Sequence, residues 1–169
     1  EIVGAPEKNG ILIVVDHASN HVPNDINLGI PMEFLNDHIA YDIGVANIAK
    51  FMSDHPGHLA IMGSVSRLVV DLNRYPEEEA AIPLRSDAVE ILGNVLNADQ
   101  RKGRLDQYFT PYHNRVAELI RDLEPLLVLS LHSFTPTLRS NRSVDRPWDI
   151  GVLYNEYETA SRLALQFLG

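Results

Sequence analysis

The chain alternates short apolar runs with longer segments in which apolar residues recur at helical spacing. The run Ile11–Val15 is unbroken and rich in β-branched residues, which predicts a strand buried on both faces. Comparable runs predict further strands over residues 58–62, 67–71, 126–131 and 150–154.

Helical spacing predicts helices over residues 37–53, 87–97, 105–123 and 156–168. Pro111 should start, kink or interrupt the third of these, because proline lacks the backbone N–H that a helix interior needs. Strands that alternate with helices are typical of an α/β fold. We expect a three-layer αβα sandwich whose sheet is largely parallel or mixed.

The domain organisation follows from the same pattern. No linker, repeat or low-complexity tract interrupts residues 1–169, so we expect a single domain. The chain ends one residue after an apolar helical segment, and we therefore expect it to lack a C-terminal portion of that domain.

Composition and charge argue against several classes of protein. The net charge is −9 and no cluster of basic residues offsets it, so we expect no nucleic-acid partner. No apolar run approaches the ~20 residues that span a bilayer, so we expect no membrane partner. The absence of cysteine excludes disulfides and thiolate metal sites, and it suits a cytoplasmic location.

Familiar catalytic motifs are also missing. The sequence contains no P-loop, no G-x-G-x-x-G dinucleotide motif, no G-x-S-x-G nucleophile elbow and no H-E-x-x-H zinc motif. Any site must therefore be built from side chains that the fold brings together.

Polar side chains follow three of the predicted strands, at the carboxyl ends where α/β sheets bind ligands. In chain order they are Asp16, His17, His21, Asn73, Arg74, His132 and Ser133. If the sheet is parallel at these strands, the side chains gather at one edge, and this convergence is the main functional signal of the sequence.

Two histidines in this set suit a zinc ion. His17 and His132 offer imidazole nitrogen, and a catalytic zinc takes three protein ligands beside an open position. We take Asp42 as the third ligand, because a carboxylate bordering the apolar face of the helix predicted over 37–53 needs a partner. Asn20 and His21 compete with it, although we expect His21 to contact solvent or substrate.

An arginine in the set suits an acidic substrate. The guanidinium of Arg74 matches a carboxylate with two parallel hydrogen bonds, although it could instead pair with Asp71 or with the glutamates at 77–79. Arg67 begins the same predicted strand, so it should be structural unless residues 64–67 fold over the edge of the sheet and bring it to the substrate.

Acid–base groups are less clearly marked. Asp16 and His21 are the candidate general bases, although alternation along a strand predicts that the Asp16 side chain points away from that of His17. His113 lies in a helical segment, where we expect a satisfied structural role. A serine hydrolase that uses Ser19 or Ser133 near His132 is an alternative to metal chemistry.

Five segments of the sequence resemble, in order, those of the N-formylglutamate amidohydrolase family. The first is Asp-His-Ala-Ser-Asn-His-Val-Pro at 16–23, and the others are 38–44, 66–74, 111–113 and 130–136. The family is related to the zinc carboxypeptidases and to the succinylglutamate desuccinylase/aspartoacylase group. The resemblance therefore implies a phosphorylase/hydrolase-like α/β fold and metal-dependent cleavage of an N-acyl amino acid.

The resemblance also assigns residues. The Asn-Arg pair that binds a substrate carboxylate in the relatives matches Asn73-Arg74, and a later histidine ligand matches His132. Asn20 stands where the carboxypeptidase motif His-x-x-Glu has its glutamate, which favours Asp42 as the replacement ligand. No residue of this chain matches the glutamate that is the expected general base.

We therefore expect a zinc-dependent amidohydrolase that acts on a small N-acyl amino acid. The first choice of substrate is N-formyl-L-glutamate, which would give formate and L-glutamate. Arg67 and Ser133 are further candidates for substrate binding. The alternative is a truncated or degenerate relative that binds small acids without turning them over. The sequence leaves the oligomeric state open.

Overall fold

The computed structural model describes residues 1–138, 140–141, 146–153 and 166. The chain divides into two compact units, Glu1–Phe134 and Thr135–Gly169. In the second unit, the backbone N–H of Arg146 donates to the carbonyl of Pro136 at 2.9 Å. The sheet, the helices and the candidate site described below all belong to the first unit.

A four-stranded mixed sheet lies at the centre of the first unit. Its strands are β1 (Ile2–Gly4), β2 (Ile11–Val15), β3 (His58–Met62) and β6 (Leu127–Ser130), in the order β1-β3-β2-β6. β2 runs parallel to both β3 and β6, and only β1 is antiparallel to its neighbour. The predicted α/β class with a mixed sheet is confirmed.

The side chains of β2 are buried against helices on both faces of the sheet. Ile13 and Val15 join an apolar cluster with helix α1 (Val45–Ser53). Leu12 and Val14 point the other way and pack with Leu119 of helix α3 (Thr110–Leu123). Each such side chain stabilises the fold by roughly 1.5–3 kcal/mol relative to its exposed state. The arrangement of helix, sheet and helix is the predicted three-layer sandwich.

The strand predicted over residues 67–71 is wrong. Leu68, Val69 and Val70 are fully buried, but the segment forms turns and packs into an apolar cluster built from loops. The hydroxyl of Ser66 donates to the carbonyl of Ala40 at 2.7 Å and accepts from the N–H of Leu68, which fixes the turn. The apolar run predicted burial correctly, but burial alone does not require a paired strand.

The helices also differ from the prediction in their bounds. The segment predicted as a helix over 37–53 is helical only from Val45, after Gly44, whose φ of +87° interrupts a regular helix. Residues 87–97 form no helix. They contain one strand of a hairpin, β4 (Arg85–Ser86) with β5 (Val89–Glu90), and a short 3₁₀ turn, Leu92–Asn94.

The helical region around Pro111 begins earlier than predicted. Helix α2 (Ala98–Arg104) starts at a capping box, in which Asn97 and Gln100 bond each other's backbone N–H groups. A π-helical turn, Leu105–Phe109, then leads into α3, whose first turn contains Pro111. The π-helical turn just before Pro111 shifts the hydrogen bonds of the helix, with the N–H of Thr110 bonded to the carbonyl of Leu105, so the residue without an N–H falls where the regular pattern is already interrupted.

The last predicted elements are only partly described. β6 pairs with β2, and Leu127 and Val128 are 44% and 43% exposed, so this strand is not buried as predicted. Residues 150–153 form no strand, and Tyr154 lies outside the described residues, as does the predicted helix 156–168 apart from residue 166. Among the described residues, no helix has both the length and the apolar character needed to cross a membrane.

The backbone at Gly63 lies very close to the end of β2, so a substitution at this position tests the fold. The backbone N–H of Gly63 donates to Val15 at 2.9 Å, and a Cβ added there would lie 2.3 Å from the carbonyl oxygen of Asp16. We predict that Gly63→Ala lowers the free energy of unfolding by ~1–3 kcal/mol, because the backbone of β2 must shift.

The matched control is Gly103→Ala in α2, where an added Cβ would meet nothing within 4 Å. Alanine has the higher helix propensity, so this variant should gain up to ~1 kcal/mol. Urea unfolding followed by circular dichroism measures both changes, and equal midpoints for the two variants would contradict the prediction.

Candidate metal centre

Parallel pairing places two histidines at one edge of the sheet. β2 and β6 are paired with Val14 opposite Ser130, so the segments that follow them leave the sheet on the same side. His17 and His132 lie in these segments, with ring centroids 5.1 Å apart. The convergence expected from the strand ends is therefore present.

Asp42 joins the two histidines from a turn rather than from a helix. Its backbone N–H donates to the carbonyl of His17 at 2.9 Å, and α1 begins three residues later. Its carboxylate is buried, with Oδ2 2.8 Å from Nδ1 of His132 and 3.4 Å from Nδ1 of His17. The predicted position within a helix is wrong, but the predicted meeting of these side chains is correct.

His17, Asp42 and His132 form a group that could hold a metal ion. Each offers one ligand atom, and these atoms lie within 4.8 Å of one another. Two imidazole nitrogens and a carboxylate oxygen are a ligand set found in catalytic zinc sites. Among the described residues, Nδ1 of His17 is buried without a hydrogen-bond partner, which is costly unless a ligand uses this nitrogen. The donor set and this orphaned nitrogen both fit a bound metal.

Asp71 orients His17 from the far side of its ring. Nε2 of His17 donates to Oδ1 of Asp71 at 2.7 Å, and the same oxygen accepts the N–H of Asn73 at 3.0 Å. Metal-binding histidines commonly bond a carboxylate through their second nitrogen, which fixes the ring and leaves the first nitrogen for the metal. No local motif marks Asp71 for this role, and its place two residues before Asn73 is the available signal in the sequence.

Arg67 bridges the two carboxylates beside His17. Its guanidinium lies 3.4 Å from Oδ1 of Asp42 and 2.9 Å from Oδ2 of Asp71. The expected position at the far end of a strand is wrong, because residues 64–69 turn over the edge of the sheet and the N–H of Arg67 donates to Ala40.

The second ring nitrogen of His132, Nε2, lies near a hydroxyl, an amide and a carboxylate. Nε2 lies 3.1 Å from the hydroxyl of Ser130, 3.4 Å from the amide nitrogen of Asn73 and 3.8 Å from Oδ2 of Asp16. The backbone N–H of Ser133 donates to Asp42 at 3.3 Å. Ser130 carried no signal in the sequence beyond its place at the end of a strand.

Two predicted substrate or acid–base residues are exposed. Within the described part of the chain, the side chain of Arg74 forms no ion pair or hydrogen bond, and Asp71 pairs with Arg67 instead. His21 is also exposed, and its contacts are made by its backbone, whose N–H donates to Ser19 Oγ at 3.1 Å. The amide of Asn20 donates to Asn36 at 3.3 Å.

Helix α3 supports this edge of the sheet through two adjacent residues. The hydroxyl of Tyr112 donates to Oδ1 of Asp16 at 2.8 Å. His113 donates to the carbonyl of Leu72 at 2.9 Å, just before Asn73. His113 is therefore a satisfied structural histidine, as predicted.

The sequence of the chain matches a known protein family. The model of the family described as N-formylglutamate amidohydrolase matches residues 9–168. The chain belongs to this family. No curated protein matches the chain.

A solved structure is similar to this member of the N-formylglutamate amidohydrolase family, and the similarity extends over almost the whole length of the present chain. It is described as the gene product Atu2144 from Agrobacterium tumefaciens, and it superposes with a TM-score of 0.91 at 30% sequence identity. The match covers 98% of this chain and 67% of that chain. The similarity supports the fold described above and the place of the chain in the family.

The charged groups of the centre stabilise one another's ionised forms. Burial raises the pKa of the Asp71 carboxyl, but the hydrogen bond and charge of His17 and the charge of Arg67 outweigh it and lower that pKa to about 2. Burial raises the pKa of Asp42 as well, but the hydrogen bond with His132 and the neighbouring His17 and Arg67 reverse the effect, so this pKa lies well below its ordinary range.

The pKa of His17 is shifted upward by the same contacts. Burial lowers it, but the neighbouring carboxylates of Asp42 and Asp71 outweigh burial and hold this pKa above its ordinary value. Ligation requires the neutral imidazole, so a proton and a metal compete for this residue. Asp16, Asp42, Asp71 and Arg67 together leave two formal negative charges, which a divalent cation would balance.

The metal centre of this N-formylglutamate amidohydrolase family member can be tested directly. We predict that the chain binds about one equivalent of a divalent metal. His17→Ala and His132→Ala should lose it, because each removes a nitrogen ligand, and Asp42→Ala should weaken it. Metal content after dialysis, measured by mass spectrometry, gives the result.

The control is His55→Ala, an exposed histidine that precedes β3 at the opposite edge of the sheet. It should keep the metal. Full metal content in both His17→Ala and His132→Ala would contradict the shared centre. Retention by Asp42→Ala alone would make Asn20 or His21 the third ligand.

Proposed function

We propose that the chain is a zinc-dependent amidohydrolase that converts N-formyl-L-glutamate to formate and L-glutamate. The observation that carries the proposal is the buried group of His17, Asp42 and His132, with an orphaned nitrogen on His17, in a chain of this family. A bound zinc ion would polarise the scissile carbonyl and lower the pKa of water towards neutrality.

The protein's own contribution begins with holding these ligands. His17 is held by Asp71 at 2.7 Å, and Asp42 is held by the backbone of His17 and of Ser133. Arg67 balances the two carboxylates and keeps both ionised, so they remain acceptors at neutral pH. The ligands therefore need little rearrangement when the site is loaded, which favours a fixed geometry for the substrate.

Arg74 is the proposed clamp for a substrate carboxylate. It is exposed and unpaired among the described residues, and it follows Asn73, whose amide reaches His132. An unpaired guanidinium on the residue that follows Asn73 suits a substrate carboxylate, which can accept a bidentate pair of hydrogen bonds from it. Arg67 and Ser133, which both contact Asp42, remain candidates for substrate binding.

Proton transfer is assigned to Asp16 or His21. Asp16 is buried beside His132, whereas His21 is exposed and its imidazole has no hydrogen-bond partner within the described part of the chain. A positioned base typically contributes ~10²–10⁴-fold to such a reaction. Turnover by Asp16→Asn and by His21→Ala identifies which of the two residues acts.

A second candidate function is the binding of small acids without turnover. The contacts of Asp16 favour this candidate, because they leave neither carboxylate oxygen free to act as a general base. One oxygen accepts a hydrogen bond from Tyr112, and the other faces His132. A chelator separates the zinc amidohydrolase from a serine hydrolase that uses Ser19 or Ser133. It should abolish formate release by a zinc amidohydrolase, and added zinc should restore it, whereas a serine hydrolase would not respond.

We predict that Arg74→Ala raises the KM for N-formyl-L-glutamate by ten- to a hundredfold. Charge-assisted hydrogen bonds to a carboxylate contribute roughly 1.5–3 kcal/mol, which corresponds to that range. Arg74→Lys should recover only part of the loss, because lysine cannot form the bidentate pair. Formate release measured against substrate concentration gives KM and kcat.

The matched control is Arg115→Ala on α3, which removes an exposed arginine paired with Glu118. It should leave KM unchanged. An unchanged KM in Arg74→Ala would exclude the clamp. Binding of N-formyl-L-glutamate by calorimetry without any formate release from zinc-loaded protein would favour the non-catalytic candidate.

A further inference from the structure

Tyr112 connects helix α3 to the metal centre through Asp16. Its hydroxyl donates to Oδ1 of Asp16 at 2.8 Å, across 96 residues of sequence. The other oxygen of Asp16 lies 3.8 Å from Nε2 of His132. One carboxylate thus contacts the helix on one side and approaches a candidate ligand on the other.

The hydroxyl of Tyr112 is a constant donor to this carboxylate. Asp16 is 7% exposed, and a buried carboxylate is costly unless hydrogen bonds satisfy it. Burial raises the pKa of Tyr112, and the negative charge of Asp16 raises it further, so the phenol keeps its proton. The phenol is therefore available as a donor to Asp16 at neutral pH.

His132 needs an acceptor at Nε2 if it is to act as a ligand through Nδ1. The Nδ1 atom is the one that faces Asp42 at 2.8 Å, inside the metal group. The proton of a neutral ligating imidazole then sits on Nε2, and its partner fixes the ring orientation. Among the described groups around Nε2, the hydroxyl of Ser130 can accept a hydrogen bond at 3.1 Å, and the amide nitrogen of Asn73 is a donor. Asp16 lies 3.8 Å away, beyond hydrogen-bond distance, and acts on the ring through its negative charge.

We infer that Tyr112 is a positioning residue, which holds Asp16 against His132 and thereby keeps the His132 ring in its ligating orientation. The inference rests on the metal centre of the proposed function, and it adds a residue from the opposite helical layer to that centre. A purely structural reading would make the Tyr112–Asp16 bond a link between α3 and the sheet, with no effect on metal affinity.

Zinc affinity separates the two readings. Tyr112→Phe removes only the hydroxyl and should weaken zinc binding about tenfold, at the lower end of the effect typical for outer partners of metal ligands. The control Tyr108→Phe removes a hydroxyl one turn earlier, in the π-helical segment, and should bind zinc like the wild type. Competition with a chromophoric chelator gives the dissociation constants, and circular dichroism confirms that each variant is folded.

A double-mutant cycle tests whether Tyr112 acts through Asp16. In an Asp16→Ala background, Tyr112→Phe should cause no further loss of zinc affinity, because the link is already broken. Asp16→Asn is a second, milder variant. It keeps an acceptor for Tyr112 but removes the charge that faces His132, so it should weaken zinc binding on its own.

Unchanged zinc affinity in Tyr112→Phe would overturn the inference, as would an equal loss in the wild-type and Asp16→Ala backgrounds. The test of Tyr112 can succeed or fail independently of the test of the proposed substrate. The predicted zinc losses without any formate release would leave this role standing and defeat only the amidohydrolase proposal. Formate release with unchanged zinc affinity in Tyr112→Phe would defeat only this role. A wild-type chain that binds no zinc would defeat both.

Discussion

The parallel pairing of β2 with β6 determines where the chemistry of this protein can lie. Two strands that are distant in sequence end side by side, with Val14 opposite Ser130. The segments that follow them carry His17 and His132, so the rings meet 5.1 Å apart without a dedicated local motif. In an antiparallel arrangement the same residues would leave opposite edges of the sheet. The position of the centre is thus a property of the topology, as in other open α/β sheets.

The centre is held by charges that are costly for the fold. Asp42 and Asp71 are nearly buried, and removing carboxylates from water is unfavourable unless ion pairs and hydrogen bonds compensate. Arg67, His17 and His132 supply that compensation, so the loss of any one of them leaves a buried carboxylate less well compensated. An apolar replacement of the whole group could be more stable, but it could not bind a cation. The arrangement therefore favours ligand geometry over stability.

The sequence predicted the site residues that directly follow the ends of strands. It was less successful for residues whose positions depend on turns. His17 and His132 were found because unbroken apolar runs precede them, and Asp42 because a carboxylate beside apolar positions needs a partner. Arg67 was placed at the wrong edge, because the apolar run 67–71 was interpreted as a strand although it forms buried turns. Asp71 and Tyr112 act through contacts across 54 and 96 residues, which no local pattern encodes.

The third ligand shows how loop packing can replace a local motif. The residue three positions after His17 is Asn20, whose amide bonds Asn36, and the carboxylate comes from Asp42 instead. The backbone N–H of Asp42 donates to the carbonyl of His17, so a backbone hydrogen bond fixes the position of one candidate ligand relative to the other. The buried Ile39 and Ala40 anchor the preceding turn in the loop cluster. The precision of the ligand set therefore depends on the packing of these irregular segments as much as on the sheet, because a shift of the turn would move the Asp42 carboxylate relative to His17.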